Sequence, residues 1–264
     1  MALPSGAKPQ FRSYPVRLAG LGRLWLAQLV RAPSDPGRQA AARTMWRQQA
    51  WLFALGATVV GALMVGLDAT EIGWMPPRGT PSLWPVRILT DFGKDAYVLW
   101  TLGGLLLVVA LMVPLSRAPA RQRLLRFGVA LQYLFLAVAF PVAVAQVIKW
   151  TVGRGRPFVG GKADAFHFAP FNGTEAYFSL PSAHAVTAAA LAVGVAAIWP
   201  RMRVVMSVYA VAILITRLVL LAHHPSDVVA GAVIGTAGAL LLRYWFAARR
   251  LGFVIDSQGK IGPA

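Results

Sequence analysis

The chain has 264 residues, 57% of them apolar and 13% charged, with a mean hydropathy of +0.59. This balance excludes a soluble enzyme of ordinary polarity and fits a single helical membrane domain. The net charge of +17 is spread between apolar runs, which suits anionic lipid and a charge bias across a bilayer rather than nucleic acid, and the lack of cysteine excludes disulfides and cysteine metal sites.

Residues 1–50 form a basic arm broken by Pro4, Pro9, Pro15, Pro33 and Pro36. Within it, 16–31 sets Leu18, Leu21, Trp25 and Leu29 on one helical face with arginines elsewhere, the pattern of a helix lying on a membrane surface. Six apolar runs follow, at 51–67, 96–115, 127–148, 181–199, 204–222 and 225–246. Each is about long enough to cross roughly 30 Å of hydrocarbon, and the first extends upstream. None alternates in polarity as a barrel strand would. The expected fold is therefore all-α: a six-transmembrane-helix bundle over 51–247, with a short tail at 248–264.

Lysine and arginine favour the cytoplasmic side of a membrane. An inside N-terminus places 18 of the 26 basic residues inside, while 7 of the 9 acidic residues fall outside. Both termini are thus expected in the cytoplasm, which for a bacterial inner membrane puts 149–180 and the His223 region in the periplasm. Gly231, Gly235 and Gly238 are spaced for close approach of another helix to the sixth run. Residues 81–95 read as an interfacial segment near a lipid entrance. In the loop 158–178, Phe166, Phe168, Phe171 and Tyr177 are candidates to border that entrance, with Lys162, Asp164, His167 and Glu175 as candidate head-group contacts.

Three polar clusters interrupt this apolar chain. The first, KWTVGRGRP at 149–157, gathers cations whose mutual repulsion is relieved by an anion, and guanidinium matches phosphate oxygens in pairs. The second, SLPSAHA at 179–185, has Pro181 as a helix start, which frees the amides of Ser182, Ala183 and His184 for an anion. The third, RLVLLAHHPSD at 217–227, buries Arg217 in an apolar run and ends in His223, His224 and Asp227. An intramembrane arginine is costly unless it faces a polar cavity or an anion. Histidine with a nearby acceptor is suited to nucleophilic work near neutral pH. On the expected topology all three clusters share one face, and three of the four histidines lie in them.

Lys149, then six residues, then Arg156-Pro157; Pro181-Ser182-Ala183-His184; and Arg217, five residues, His223, three residues, Asp227 together resemble the three-part signature of the type 2 phosphatidic acid phosphatase superfamily. The resemblance covers 149–227 directly and implies a membrane-embedded phosphatase core that needs no metal or cofactor. It implies that His223 attacks phosphorus and carries a phosphohistidine, with Asp227 orienting and charging its ring. His184 then acts as general acid and afterwards as base. Lys149, Arg156, Ser182, Arg217 and the amide of Ala183 hold the phosphoryl oxygens. Arg154 falls outside the matched spacing and reads as a supporting charge. Alanine at 183 replaces the family's usual glycine, Thr216 its serine, and His224 its frequent aromatic.

The expected activity is hydrolysis of a phosphomonoester or diphosphate of a membrane lipid, with phosphatidate, phosphatidylglycerophosphate, isoprenyl diphosphate and lipid A phosphates all open. Phosphotransfer to another lipid through the same intermediate is the alternative. A non-enzymatic anion carrier would use the cations but not the spacing of His223 and Asp227. The expected partners are the phosphorylated lipid and a bilayer with anionic lipids, not nucleic acid; the sequence carries no sign of oligomeric state.

Overall fold

A computed structural model describes residues 13–157, 159 and 165–264. The first twelve residues of the arm, and Lys162 and Asp164 among the expected head-group contacts, lie outside the described residues. In chain order the helices are α1 (Tyr14–Val30), α2 (Arg38–Gly66), α3 (Asp68–Trp74), α4 (Trp84–Asp91), α5 (Asp95–Met112), α6 (Ala118–Val152), α7 (Ala183–Ile198), α8 (Arg203–Val219) and α9 (Pro225–Ala248). The strands β1 (Phe253–Ile255) and β2 (Ile261–Pro263) then pair as an antiparallel hairpin.

The all-α expectation holds, and the count of six spans is matched only roughly. Among the described residues, five segments are long and apolar enough to cross a membrane, at 38–66, 81–115, 118–152, 200–219 and 225–248. The run expected at 181–199 forms α7, which is apolar but has only 16 residues. At 1.5 Å per residue it is about 24 Å long, short of the roughly 30 Å needed. It is nonetheless the central helix, packed against α6, α8 and α9 and running from one end of the bundle to the start of α8 at the other. The first run does extend upstream, and α2 reaches back to Arg38.

Small residues let α7 and α9 meet closely. A Cβ on Gly231 would lie 2.5 Å from the Ser182 carbonyl, one on Gly235 would overlap the Val186 carbonyl, and one on Gly238 would meet Pro141 of α6 at 2.7 Å. The expected packing role of these glycines is therefore what the fold uses. Around this centre, α2, α5 and α8 leave large apolar side chains exposed, among them Trp51, Leu55, Trp100, Leu107, Val208 and Ile215. In a bilayer those side chains meet lipid, while the helices satisfy their own backbone groups.

The bundle has two distinct ends. At one, α6 begins and α5 and α9 finish, closed by α1 and the hairpin. Tyr14 Oη donates to the Leu111 carbonyl, Leu21 is buried, and Leu29 accepts from Trp245 Nε1. The apolar face read as a membrane-surface face thus rests largely on the bundle itself. The hairpin brings the Phe253 ring edge-on to Tyr133 at 4.9 Å. At the other end lie the last turn of α6, the first turns of α7 and α9, the last turn of α8, and the short helices α3 and α4. All three polar clusters are there.

Candidate active site

The first cluster is shaped by a left-handed turn. Gly153 caps α6 at φ 58°, and the loop from Ala165 to Ser179 folds back along residues 153–156. Ala169 N–H donates to Gly153 C=O at 2.7 Å, Gly155 N–H to His167 C=O at 2.8 Å, Arg156 N–H to Ala176 C=O at 2.8 Å and Ser179 N–H to Arg154 C=O at 3.0 Å. This lacing fixes where the cations sit. Lys149 is buried and donates through Nζ to the Phe178 carbonyl at 2.8 Å. Arg156 pairs with Glu175 at 3.0 Å and keeps its Nε buried without a partner among the described residues. His167 pairs with the Tyr177 hydroxyl at 3.0 Å.

The second and third clusters are joined directly. The Ser182 amide donates to the Asp227 backbone carbonyl at 3.0 Å, so the starts of α7 and α9 are tied together. This corrects the expected helix start at Pro181: Ser182 is the N-cap, and Val186 N–H to Ser182 C=O is the first intrahelical bond. The amides that precede it are those of Ala183, His184 and Ala185, whereas that of Ser182 is already engaged. Ser182 Oγ is buried with no partner among the described residues.

Arg217 lies in the last turn of α8, buried, and donates through Nη1 to Thr90 Oγ1 of α4 at 2.7 Å. Its Nε has no partner among the described residues. Thr216, which stands where the family has serine, bonds the same Thr90 hydroxyl at 3.0 Å. The helix ends before the run expected to 222, because the chain turns at Leu221 with φ 47° and delivers His223 to the site.

His223 is 2% exposed, and its Nδ1 lies 2.8 Å from the Ser179 carbonyl. A carbonyl only accepts, so Nδ1 carries the proton and Nε2 presents a lone pair. Burial, then the positive charges of Arg217, Lys149 and Arg156 and the His184 ring, hold the His223 pKa well below its ordinary value. The ring is therefore neutral at physiological pH, and the sequence-expected cations and second histidine all act on it electrostatically. The charge around it suits an anion; among the described residues no group of three or more His, Asp or Glu is placed for a metal ion.

Asp227 differs from the expectation that it contacts the His223 ring. Its Oδ2 accepts from Ser179 Oγ at 2.6 Å and from the His224 amide at 2.9 Å, and its Oδ1 accepts from Arg154 at 2.7 Å. The carboxylate steadies Ser179, and the Ser179 carbonyl holds the imidazole. The physical reason is Arg154, read from sequence as a mere supporting charge. It is fully buried, and its guanidinium also donates to Ser226 Oγ at 2.6 Å, to the Ala165 carbonyl at 2.6 Å and to Asp68 Oδ2 at 2.8 Å.

Asp68 was not among the expected site residues. It opens α3, is fully buried, accepts from the Ser226 amide at 3.0 Å and is also bonded to the Ser226 hydroxyl. His224 points away from the site toward the Asp68 carbonyl at 3.4 Å, its pKa lowered by burial and partly restored by Asp227. Thr90 was missed too, although 81–95 was read as an interfacial segment. An acidic pair just past an apolar span, Asp68 and Glu71 in a chain with nine acids, was the available signal for the first. Nothing local marks the second.

The PAP2 superfamily model matches residues 130–251, which contain all three clusters. A lipid A 1-phosphatase of Rhizobium johnstonii is 34% identical over 217 residues, covering 81% of this chain and 86% of that protein. A lipid A 1-phosphatase of Rhizobium etli is 36% identical over 127 residues, 48% of this chain and 55% of that protein. No solved structure matches. With its signature residues gathered at one end of an apolar helical bundle, and with this breadth of similarity, the chain belongs to the PAP2 superfamily and is a membrane lipid phosphatase.

Proposed function

We propose that the enzyme removes a phosphate from a membrane lipid through a phosphohistidine on His223, and that the 1-phosphate of lipid A is its substrate. The observation that carries the mechanism is the fixed tautomer: Nδ1–H is held by the Ser179 carbonyl, so the Nε2 lone pair is free, in the positive field of Arg217, Lys149 and Arg156. Nε2 attacks phosphorus, the bond from phosphorus to the lipid oxygen breaks, and His184 gives that oxygen its proton, as an imidazolium that forms once the bound phosphate offsets the burial and the cations that otherwise push its pKa down to about 3. Neutral His184 then takes a proton from water, whose oxygen attacks phosphorus, and the P–N bond breaks to release inorganic phosphate and restore both rings.

Buried donors without partners among the described residues support the phosphate position. Ser182 Oγ and the Nε atoms of Arg156 and Arg217 are such donors, and an unsatisfied buried donor is costly unless a ligand accepts from it. With Lys149 and the Ala183 amide they can hold the non-bridging oxygens as charge develops on them. Asp227 acts as a positioning residue through Ser179.

The substrate reading rests on the two relatives, each named for lipid A 1-phosphate hydrolysis. An apolar groove of about 460 Å³ beside the site agrees with a lipid substrate. It is lined by α4, α5 and Leu191 of α7, with Asp91 the charged residue on its wall, next to the Thr90 that holds Arg217. The excess of basic residues in the loops at the opposite end favours a periplasmic site.

The test is phosphate release in detergent from lipid A, phosphatidate, phosphatidylglycerophosphate and isoprenyl diphosphate, with and without a chelator. Lipid A is expected to have the highest kcat/KM, and activity should survive chelation. The His223→Ala variant should lose at least about 10³-fold in kcat, together with an acid-labile phosphoenzyme trapped at short times. Turnover within tenfold of the parent in that variant would remove His223 as the nucleophile.

A further inference from the structure

Arg156 faces two ways. One side belongs to the cations around His223, and the other lines a pocket of about 230 Å³ on the outer surface, formed with Arg78, Pro157, Val159, Glu175 and Ala176. Arg78 comes from the connection between α3 and α4 and is exposed. The pocket is smaller than the roughly 300–1,000 Å³ that encloses a drug-sized ligand, so it fits one head-group-sized anion.

Among the described residues the charges in this pocket are not balanced. Two guanidinium groups face it with a single carboxylate, Glu175, whose side chain is 84% exposed where it meets Arg156. Burial lowers the Arg156 pKa, Glu175 opposes the shift and Arg78 adds to it, which records the mutual repulsion of the two cations. An exposed carboxylate is a weakly held counter-ion. A phosphate can replace it with paired, charge-assisted bonds to guanidinium, for which arginine's fork is shaped.

We infer that Arg78 and Arg156 form a second phosphate subsite outside the catalytic position, with Glu175 as the counter-ion that an incoming phosphate displaces. The inference rests on the proposed reading only in that Arg156 also serves the catalytic phosphate. The chemistry is that of a phosphate dianion, from either of two sources: a second phosphate on the lipid head group, or the inorganic phosphate on its way out. The apolar groove beside Thr90 and this polar pocket lie against different cations of the site, Arg217 and Arg156. That separation suits a reaction whose lipid product needs the bilayer and whose phosphate product needs water.

The test titrates inorganic phosphate by calorimetry into the full-length protein in detergent, and into its Arg78→Ala, Arg78→Lys and Glu175→Gln variants. The parent should bind phosphate in two classes. Arg78→Ala should weaken one class roughly three- to tenfold, Arg78→Lys should restore part of it, and Glu175→Gln should tighten it. Kinetics then separate the sources. If inhibition by inorganic phosphate weakens in Arg78→Ala while the ratio of KM values for bis-phosphorylated and mono-phosphorylated lipid stays fixed, the pocket serves the departing product. If that ratio rises instead, it serves the head group. A single phosphate class that is the same in all four proteins, with neither kinetic quantity moved, overturns the subsite. Persistent turnover in His223→Ala would strike the phosphohistidine reading alone, since the phosphate isotherms are read without turnover.

Discussion

Replacing Arg154 with methionine tests whether the buried ion network holds the site together. The substitution keeps much of the side-chain volume but strips the donors that reach Asp227, Asp68, Ser226 and Ala165, and it strands two fully buried carboxylates. Breaking one buried pair by removing a partner costs about 3–5 kcal/mol. Two pairs that share one cation do not add, so the loss should stay near that range rather than double it. At roughly 2–4 °C per kcal/mol for a domain of this size, Tm should fall by about 10 °C. Tryptophan fluorescence on heating in detergent reads this directly, because the chain has nine tryptophans and no cysteine for thiol dyes. Arg154→Lys should rescue little, since one ammonium cannot span acceptors on both sides of a planar fork. The decisive comparison adds Asp68→Asn. Alone it should destabilise, whereas on top of Arg154→Met it should stabilise, because it removes one of the stranded charges. If Asp68→Asn lowers Tm equally in both backgrounds, the two residues are not coupled and the reasoning fails.

What sequence could and could not reveal about this site follows from the range of the interactions. The three clusters are local in the chain, so their spacing was readable, and both histidine-bearing helix starts lie at one end because α7 and α9 run the same way past one another on Gly231 and Gly235. The partners that fix those clusters are not local. Asp68 meets Arg154 across 86 residues, and Thr90 meets Arg217 across 127, from segments whose composition reads as span ends and loops. The contacts of Asp227 differ from the expected ones for a related reason: short spacing to His223 suggests contact, but the capping geometry of α9 turns the carboxylate back onto the His224 amide and Ser179. Helix ends were the other weak point. The upstream part of α2 carries Gln49, which donates to the Ala237 carbonyl of α9, so a stretch too polar to count as a span is recruited into the bundle by a partner far along the chain. The closing hairpin left only the Asp256–Gly259 turn as a local sign, with Gly259 at φ 78° against Ala40.

Two further outcomes follow from the supporting residues. Thr90→Val keeps the shape of the side chain and removes the hydroxyl that receives Arg217, so kcat/KM should fall roughly tenfold, near the low end for a hydrogen bond to a charged group. Thr90→Ser should recover it, and an unchanged kcat/KM in Thr90→Val would show that Arg217 needs no such anchor. Glu71 supplies the pH dependence. Its carboxyl is buried beside Asp68 with neither oxygen paired among the described residues, and burial, then the Asp68 charge, pushes its pKa from 4.5 up to about 7. A carboxyl that holds its proton more tightly when folded binds more protons in the native than in the unfolded state between those two values, so stability falls as pH rises through that window and levels off above it. Glu71→Gln imitates the protonated form. Its Tm should match the parent near pH 4.5 and exceed it by several degrees above pH 7, given a difference on the order of 2 kcal/mol and roughly 2–4 °C for each. The gain must appear on the alkaline side, because only there does the parent carry a second buried carboxylate next to the one that anchors Arg154. A constant Tm difference across the range would mean that Glu71 ionises as freely in the folded protein as in the unfolded chain, and that Asp68 does not feel it.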